Sequence, residues 1–140
     1  MAAKGNAGLH GLLHAAERAE SHVESRLSTI GLSLPKLAAL HQLVAAGDSL
    51  PLGILAERLS CVKSNVTQLV DRLEIDGLVR RSPDSSDRRS CLAVITDAGR
   101  KLHTQGIKVQ QEAEREVFGM LTPDELARLA QIISKLDRGK

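Results

Sequence analysis

Apolar residues recur every three or four positions over most of the chain, which is the spacing of helices that each bury one face. The first such stretch runs from Leu9 to Ile30 and stops at Gly31. The second is opened by Ser33 and Pro35 and stops at Gly47. A short third stretch follows Pro51. These patterns predict successive helices separated by brief breaks marked by glycine and proline.

A fourth helical stretch starts close behind the third, at about Val62, and ends at Gly77. The connection through Ser60 and Cys61 is too short for anything except a tight turn. The pattern then changes, because two strand-like runs flank a long polar stretch that contains proline. These runs, Leu78 to Arg81 and Leu92 to Ile95, predict a two-stranded hairpin. Two helices joined by a short turn and followed by a hairpin make a winged helix-turn-helix.

Two further helices follow the hairpin. Thr96 is placed to cap the first of them. Thr122 and Glu125, on either side of Pro123, form a capping box that opens the last one. The apolar stripes of these helices and of the first helix exceed what a small winged domain can cover. We therefore expect them to pair with a second copy of the chain.

The predicted fold class is mainly α with a small β-hairpin, a winged helix-turn-helix domain with N- and C-terminal dimerisation helices. It is one domain over residues 1–140, with dimerisation helices at 9–31 and 97–138 and the DNA-binding region at 33–96. A twofold axis between two copies would set their fourth helices about 34 Å apart, which is one turn of DNA. A pseudo-palindromic operator is therefore expected.

Composition narrows the choice of partner. With one Phe and no Trp or Tyr, the chain cannot build aromatic stacking platforms for single-stranded nucleic acid. The formal net charge of +2 neither requires nor excludes a nucleic-acid partner. Two cysteines make no disulfide framework, and His10, His14 and Glu17 interrupt the N-terminal apolar stretch. We expect a cytoplasmic protein with no membrane partner.

The candidate DNA-binding side chains lie on the fourth helix and on the hairpin. Asn and Gln pair with adenine, hydroxyl groups meet bases or phosphates, and lysine meets phosphate or guanine. Adjacent arginines at a protruding tip fit a minor groove, and Asp87 is expected to orient one of the guanidinium groups. The helix supplies Lys63, Ser64, Asn65, Thr67, Gln68 and Arg72, and the hairpin supplies Arg80, Asp87, Arg88 and Arg89.

The order and spacing of these motifs resemble the MarR-type transcriptional regulators. The matching segments are Leu55-Ala56, Leu69 to Glu74, Gly77 to Arg81, Asp87 to Arg89, and Val94 to Thr96 before Gly99. The resemblance implies a homodimer that binds double-stranded DNA, with the fourth helix in the major groove and Asp87 and Arg89 at the minor groove. It also implies a repressor that responds to a small molecule.

In such proteins the effector commonly lies in the crevice between the dimerisation helices and the winged domain. Because this chain lacks Tyr and Trp, such a pocket is expected to be aliphatic, with His14 or His41 as polar handles. Two alternatives remain open. One is a winged-helix protein-interaction module that does not bind DNA, and the other is a redox-sensing regulator that uses Cys61 or Cys91.

Neither catalysis nor a bound metal is expected. The candidate catalytic groups Cys91, Asp97 and His103 are scattered over a strand, a cap and a helix, and no glycine-rich phosphate loop occurs. His10, His14 and Glu17 share a helical face, but no further ligand is locally spaced to complete a metal site. No cofactor is predicted.

Overall fold

The computed structural model describes residues 8–59 and 65–138. Its helices are α1 (Leu9–Ser28), α2 (Leu34–Ala45), α3 (Leu52–Arg58), α4 (Val66–Ile75), α5 (Asp97–Phe118) and α6 (Pro123–Asp137). Its strands are β1 (Ser49–Pro51), β2 (Val79–Pro83) and β3 (Cys91–Ile95). The predicted fold class, mainly helical with a small antiparallel hairpin, is confirmed.

The helix starts follow the predicted caps. The hydroxyl of Ser33 accepts the backbone N–H of Lys36 at 3.3 Å, and Pro35 lies in the first turn of α2. At α6 the capping box is complete, since Thr122 Oγ1 accepts the Glu125 N–H at 3.1 Å and Glu125 Oε1 accepts the Thr122 N–H at 2.9 Å. Each contact pairs a backbone donor that has no partner within the helix.

A glycine follows the C-cap of helix α4. Gly77 has φ +77°, a conformation that costs a residue with a side chain more than it costs glycine. The Gly77 N–H donates to the Glu74 carbonyl at 3.0 Å, and the Leu78 N–H donates to the Leu73 carbonyl at 2.9 Å. This turn directs the chain from α4 straight into the hairpin. The predicted start of the helix at Val62 lies outside the described residues.

The sheet has three strands where two were predicted. Its order is β1-β3-β2, and β1 pairs with β3 in antiparallel register through Leu50 and Ala93. The sequence pattern missed β1 because three residues are too few to show alternation, and Pro51 at its end signals a turn. Within the hairpin, β2 and β3 pair from Val79 with Ile95 to Pro83 with Cys91.

The described residues fall into two compact units. The winged unit contains the described residues between Glu24 and Gln110. Its core consists of fully buried leucine side chains together with Val70. The leucines are Leu27, Leu37, Leu40, Leu43, Leu55 and Leu73. Because these residues come from every helix between the end of α1 and α4, the core fixes α4 against α2 and α3.

The helical unit contains the described residues up to Val23 and from Gln111 onward. Val23 and Ala113 are its buried apolar side chains, and α6 has none. Leu126, Ile132, Ile133 and Leu136 of α6 are 43%, 53%, 52% and 60% exposed. The apolar stripe of α6 is thus left uncovered within a single chain.

Among the described residues, no helix has the length and apolarity to cross a membrane.

Candidate DNA-binding surface

Helix α4 presents a polar face to solvent. Leu69, Val70 and Leu73 are buried on the opposite side, as the spacing of apolar residues predicts. The described candidates on this helix and its cap are all exposed, namely Asn65, Thr67, Gln68 and Arg72. Lys63 and Ser64, the other two candidates, lie outside the described residues. The helix therefore offers amide, hydroxyl and guanidinium groups on its free face.

The tip between β2 and β3 is built from two consecutive turns. The Asp87 N–H donates to the Asp84 carbonyl at 3.1 Å, and the Ser90 N–H donates to the Asp87 carbonyl at 3.0 Å. Asp84 Oδ1 accepts the Ser86 hydroxyl at 2.7 Å and the Ser86 N–H at 3.0 Å. These hydrogen bonds favour the carboxylate and lower the pKa of Asp84. The tip thus has a defined shape without a hydrophobic core.

Asp87 acts differently from the prediction that it would orient a guanidinium group. Its Oδ1 accepts the backbone N–H of Arg89 at 2.9 Å. This contact forms an Asx-turn, which is typical of tight loops. The side chains of Arg88 and Arg89 are both exposed. The short reach of aspartate favours the nearby amide over a long guanidinium side chain. Asp87 therefore shapes the backbone from which the two arginines project. Arg80, on β2, is exposed as well.

Sequence reasoning missed Arg81, the residue that joins the hairpin to α4. Its Nη1 donates to Glu74 Oε1 at 2.6 Å, and its Nη2 lies 2.8 Å from Asp71 Oδ1. Burial lowers the pKa of Arg81, but hydrogen bonds and attraction to Asp71 and Glu74 outweigh this effect and raise it. The signal in the sequence was the pair of acidic residues three apart on α4, close before a basic strand.

A second ion pair lies at the C-terminal end of α4. Lys36 Nζ of α2 donates to Asp76 Oδ2 at 2.9 Å, and Asp76 is the C-cap of α4. Both side chains are partly exposed, so the pair adds little to the free energy of unfolding. The ion pair links the C-terminal end of α4 to the first turn of α2.

Two histidines meet on the winged unit away from α4. His41 Nδ1 of α2 lies 3.0 Å from His103 Nε2 of α5, so one of the two rings donates a hydrogen bond to the other. The ring centroids are 5.2 Å apart. A groove of about 300 Å³ lies beside His41. It is lined by Leu34, Leu37, Ala38 and Ile107, together with His41, Gln42 and Gln110.

His14, the other predicted handle of an effector pocket, lies in the helical unit. It borders a separate hollow lined by α1 residues from His10 to Arg18. The structure thus places His41 beside an apolar groove between α2 and α5 and places His14 on one helix face.

The histidine pair predicts a pH dependence of stability. Burial and the neighbouring His41 both lower the pKa of His103 below its ordinary value of 6.5. Below about pH 6.5, His103 therefore binds a proton more readily in the unfolded chain than in the folded chain. The free energy of unfolding should fall as the pH drops through this range. Urea denaturation between pH 8 and pH 5 measures this loss. His103→Gln should flatten the curve and His41→Gln should flatten it less, and identical slopes in wild type and His103→Gln would contradict the assignment.

Metal-ligand side chains do not cluster among residues 8–59 and 65–138. There, no three side chains of His, Cys, Asp or Glu gather as a metal ion would require. Cys91 is half-buried at the start of β3, with its Sγ 3.8 Å from the Leu92 carbonyl. Cys61 lies outside the described residues.

The fold is a winged helix-turn-helix in which α4 is the recognition helix and the β2–β3 hairpin is the wing. A polar recognition helix and a wing that carries arginines are typical of a class of DNA-binding proteins. The sequence profile of the MarR family matches residues 32–91. YfiV of Bacillus subtilis, an uncharacterised helix-turn-helix transcriptional regulator, is 32% identical over 114 residues, or 78% of this chain and 68% of that protein. The chain belongs to the MarR family of DNA-binding transcriptional regulators. This membership confirms the predicted family and the prediction that the protein is not an enzyme.

One further relative is similar in sequence, and two solved structures are similar in fold. YsmB of Bacillus subtilis, also an uncharacterised helix-turn-helix regulator, is 28% identical over 110 residues, or 79% of this chain and 75% of that protein. A mutant MarR of Escherichia coli in complex with operator DNA superposes with a TM-score of 0.81 at 25% identity, covering 91% of this chain and 92% of that chain. The organohalide-sensing regulator RdhR, bound to 2,4-dichlorophenol, superposes with a TM-score of 0.84 at 21% identity over 93% of this chain and 77% of that chain.

Proposed function

We propose that this protein binds a pseudo-palindromic operator as a homodimer and represses transcription until a small molecule releases it. The observation that carries the proposal is the joint exposure, on one winged unit, of polar α4 side chains and of the arginines at the wing tip. A helix in the major groove and a tip in the minor groove need these two kinds of surface. The similarity to a MarR structure in complex with operator DNA supports binding to an operator.

Each candidate residue has a role set by its chemistry. Gln68 and Asn65 suit base edges, whereas Thr67 and Arg72 suit bases or phosphates beside them. Arg80, Arg88 and Arg89 supply positive charge, and Asp87 holds the turn from which the tip arginines project. Lys63 and Ser64 complete the proposed set at the start of the helix. Because the formal net charge of the chain is only +2, binding depends on where these charges lie.

The dimer is proposed from the uncovered apolar face of the helical unit. Four large apolar side chains of α6 are exposed, and Leu9, Leu12 and Leu13 of α1 are exposed as well. A second copy would remove this apolar surface from water. We assign residues 9–31 and 97–138 to dimerisation and residues 33–96 to DNA binding within one domain. Twofold symmetry then sets half-sites about one helical turn apart.

Selection of bound fragments from random duplex DNA, together with sedimentation of the free protein, tests the proposal. We expect a dimer in solution and an enriched inverted repeat with half-site centres about 10 base pairs apart. Affinity for that fragment should fall steeply with rising salt, because phosphate contacts release counterions. A monomer, or no enrichment at low salt, would refute the proposal. Binding to a protein partner, with an affinity that does not depend on salt, would instead favour the protein-interaction module.

The effector is proposed to occupy the groove beside His41. Apolar side chains and two amides around an imidazole suit a small, largely apolar molecule with one polar group. Such a ligand should lower affinity for the selected operator when added to the complex. The redox alternative is tested in the same assay, since oxidant should then act in place of a ligand and Cys91→Ser or Cys61→Ser should abolish its effect.

A further inference from the structure

Basic side chains from other elements hold the acidic side chains at the end of α4. Arg81 of β2 binds both Asp71 and Glu74, and Lys36 of α2 binds Asp76. The same helix carries the residues proposed to read DNA. Unpaired carboxylates on such a helix would repel the phosphate backbone as it approaches.

Arg81 spans two turns of the helix. Besides its side-chain contacts to Asp71 and Glu74, its Nη2 lies 3.5 Å from the backbone carbonyl of Thr67, and its own backbone N–H donates to Glu74 Oε2 at 3.2 Å. Thr67, Asp71 and Glu74 are spaced four and three residues apart, so they line one side of α4. A planar guanidinium can meet these acceptors together, whereas a lysine ammonium is a single point charge.

The neighbouring arginine is placed differently. Arg80 is exposed, whereas the Arg81 side chain is 27% exposed and its guanidinium is occupied by two carboxylates. Successive residues of a strand face opposite sides of the sheet, which separates the two roles. Arg80 is free to meet phosphate, and Arg81 faces the helix.

We propose that Arg81 is a positioning residue for DNA binding, whose guanidinium fixes the recognition helix against the wing and cancels carboxylate charge beside the phosphates. The inference rests on the proposed function and extends it. Arg81 acts through Asp71 and Glu74 and makes no contact with DNA itself. Loss of Arg81 would release the spacing between the two DNA-binding elements and leave two carboxylates unpaired on one of them.

Operator affinity of Arg81→Met and Arg81→Lys tests this inference. Affinity is measured by fluorescence anisotropy at several salt concentrations, and circular dichroism establishes that each variant is folded at the assay temperature. Arg81→Met should weaken binding at least about tenfold, and Arg81→Lys should recover only part of the loss. Adding Asp71→Asn to Arg81→Met should restore part of the affinity, because one unpaired carboxylate is removed.

Salt dependence separates positioning from direct contact. Arg81→Met should lower the slope of log affinity against log salt by clearly less than one, because no phosphate contact is lost, whereas Arg88→Ala should lower it by about one. Lys36→Met is the matched control, since it breaks an ion pair at the C-cap of α4, which lies beyond the residues proposed to read DNA and does not involve the wing. We expect Lys36→Met to change affinity less than about twofold.

Several results would overturn the inference. They are wild-type affinity in Arg81→Met, full recovery in Arg81→Lys, a slope lowered as in Arg88→Ala, and an equal loss in Lys36→Met. A wild-type protein that binds no duplex would instead refute the proposed function. Wild-type binding that is insensitive to Arg81 would leave that function standing and remove only the positioning role.

Discussion

Gly99→Ala is expected to lower the free energy of unfolding by about 3 kcal/mol. A Cβ atom at Gly99, in the first turn of α5, would lie 2.2 Å from the Leu78 carbonyl oxygen and 2.7 Å from Ile95 Cγ1. The Leu78 carbonyl belongs to the backbone and accepts the Thr96 N–H at 3.0 Å, so it cannot move aside without loosening the link between hairpin and helix. Urea denaturation followed by circular dichroism measures the change.

Two other glycines provide matched controls for the same substitution. No atom would lie within 4 Å of a Cβ at Gly53 in α3, so Gly53→Ala should raise stability by about 0.5 kcal/mol. At Gly106 the Cβ would lie 2.7 Å from Leu32 Cδ1 and 2.8 Å from Leu37 Cδ1. These are ends of side chains that can turn away, so an intermediate loss is expected. Wild-type stability in Gly99→Ala would disprove the predicted clash.

Replacing Arg88 and Arg89 together by alanine should weaken operator binding about a hundredfold at physiological salt. Both side chains project from a tip that has little core, so the fold should tolerate their loss. The slope of log affinity against log salt should fall by about two, because two charges that are proposed to neutralise phosphates are removed. Fluorescence anisotropy with the selected operator and with an unrelated duplex measures both quantities.

Gln68→Ala is the contrasting control, because Gln68 is proposed to read a base and carries no charge. It should relax preference at one base position by about 1–3 kcal/mol and leave the salt slope as it is. Unchanged affinity in the double arginine variant, or an equal loss on every sequence in Gln68→Ala, would show that these roles are assigned wrongly.

Much of the fold followed from local patterns in the sequence. Helices were predicted from the spacing of apolar residues and from their capping residues. The caps Ser33, Thr96 and Thr122 each accept the backbone N–H that such a cap is expected to bind. The exposure of Gln68 followed in the same way, since the buried side of α4 determines its free side. Strand β1 was missed because its three residues gain their structure by pairing with β3, more than 40 positions later.

The candidate site was predictable only where it depends on exposure. Arg88 and Arg89 stand out as charges at a polar tip, but the contacts of Arg81 depend on how the strand lies against α4. Asp87 was predicted to hold a guanidinium group, whereas its observed partner is a backbone amide, because a carboxylate beside two arginines suggests an ion pair first. Side-chain partners require tertiary geometry that spacing along the chain does not supply.

The uncovered stripe of α6 has a genetic consequence if subunits pair through it as proposed. A chain with an intact α6 but without the arginines of its wing tip would still find partners, and it would tie up normal subunits in pairs that grip only half a binding site. Such an allele would be dominant over the wild-type gene, whereas an allele that disrupts α6 would be recessive.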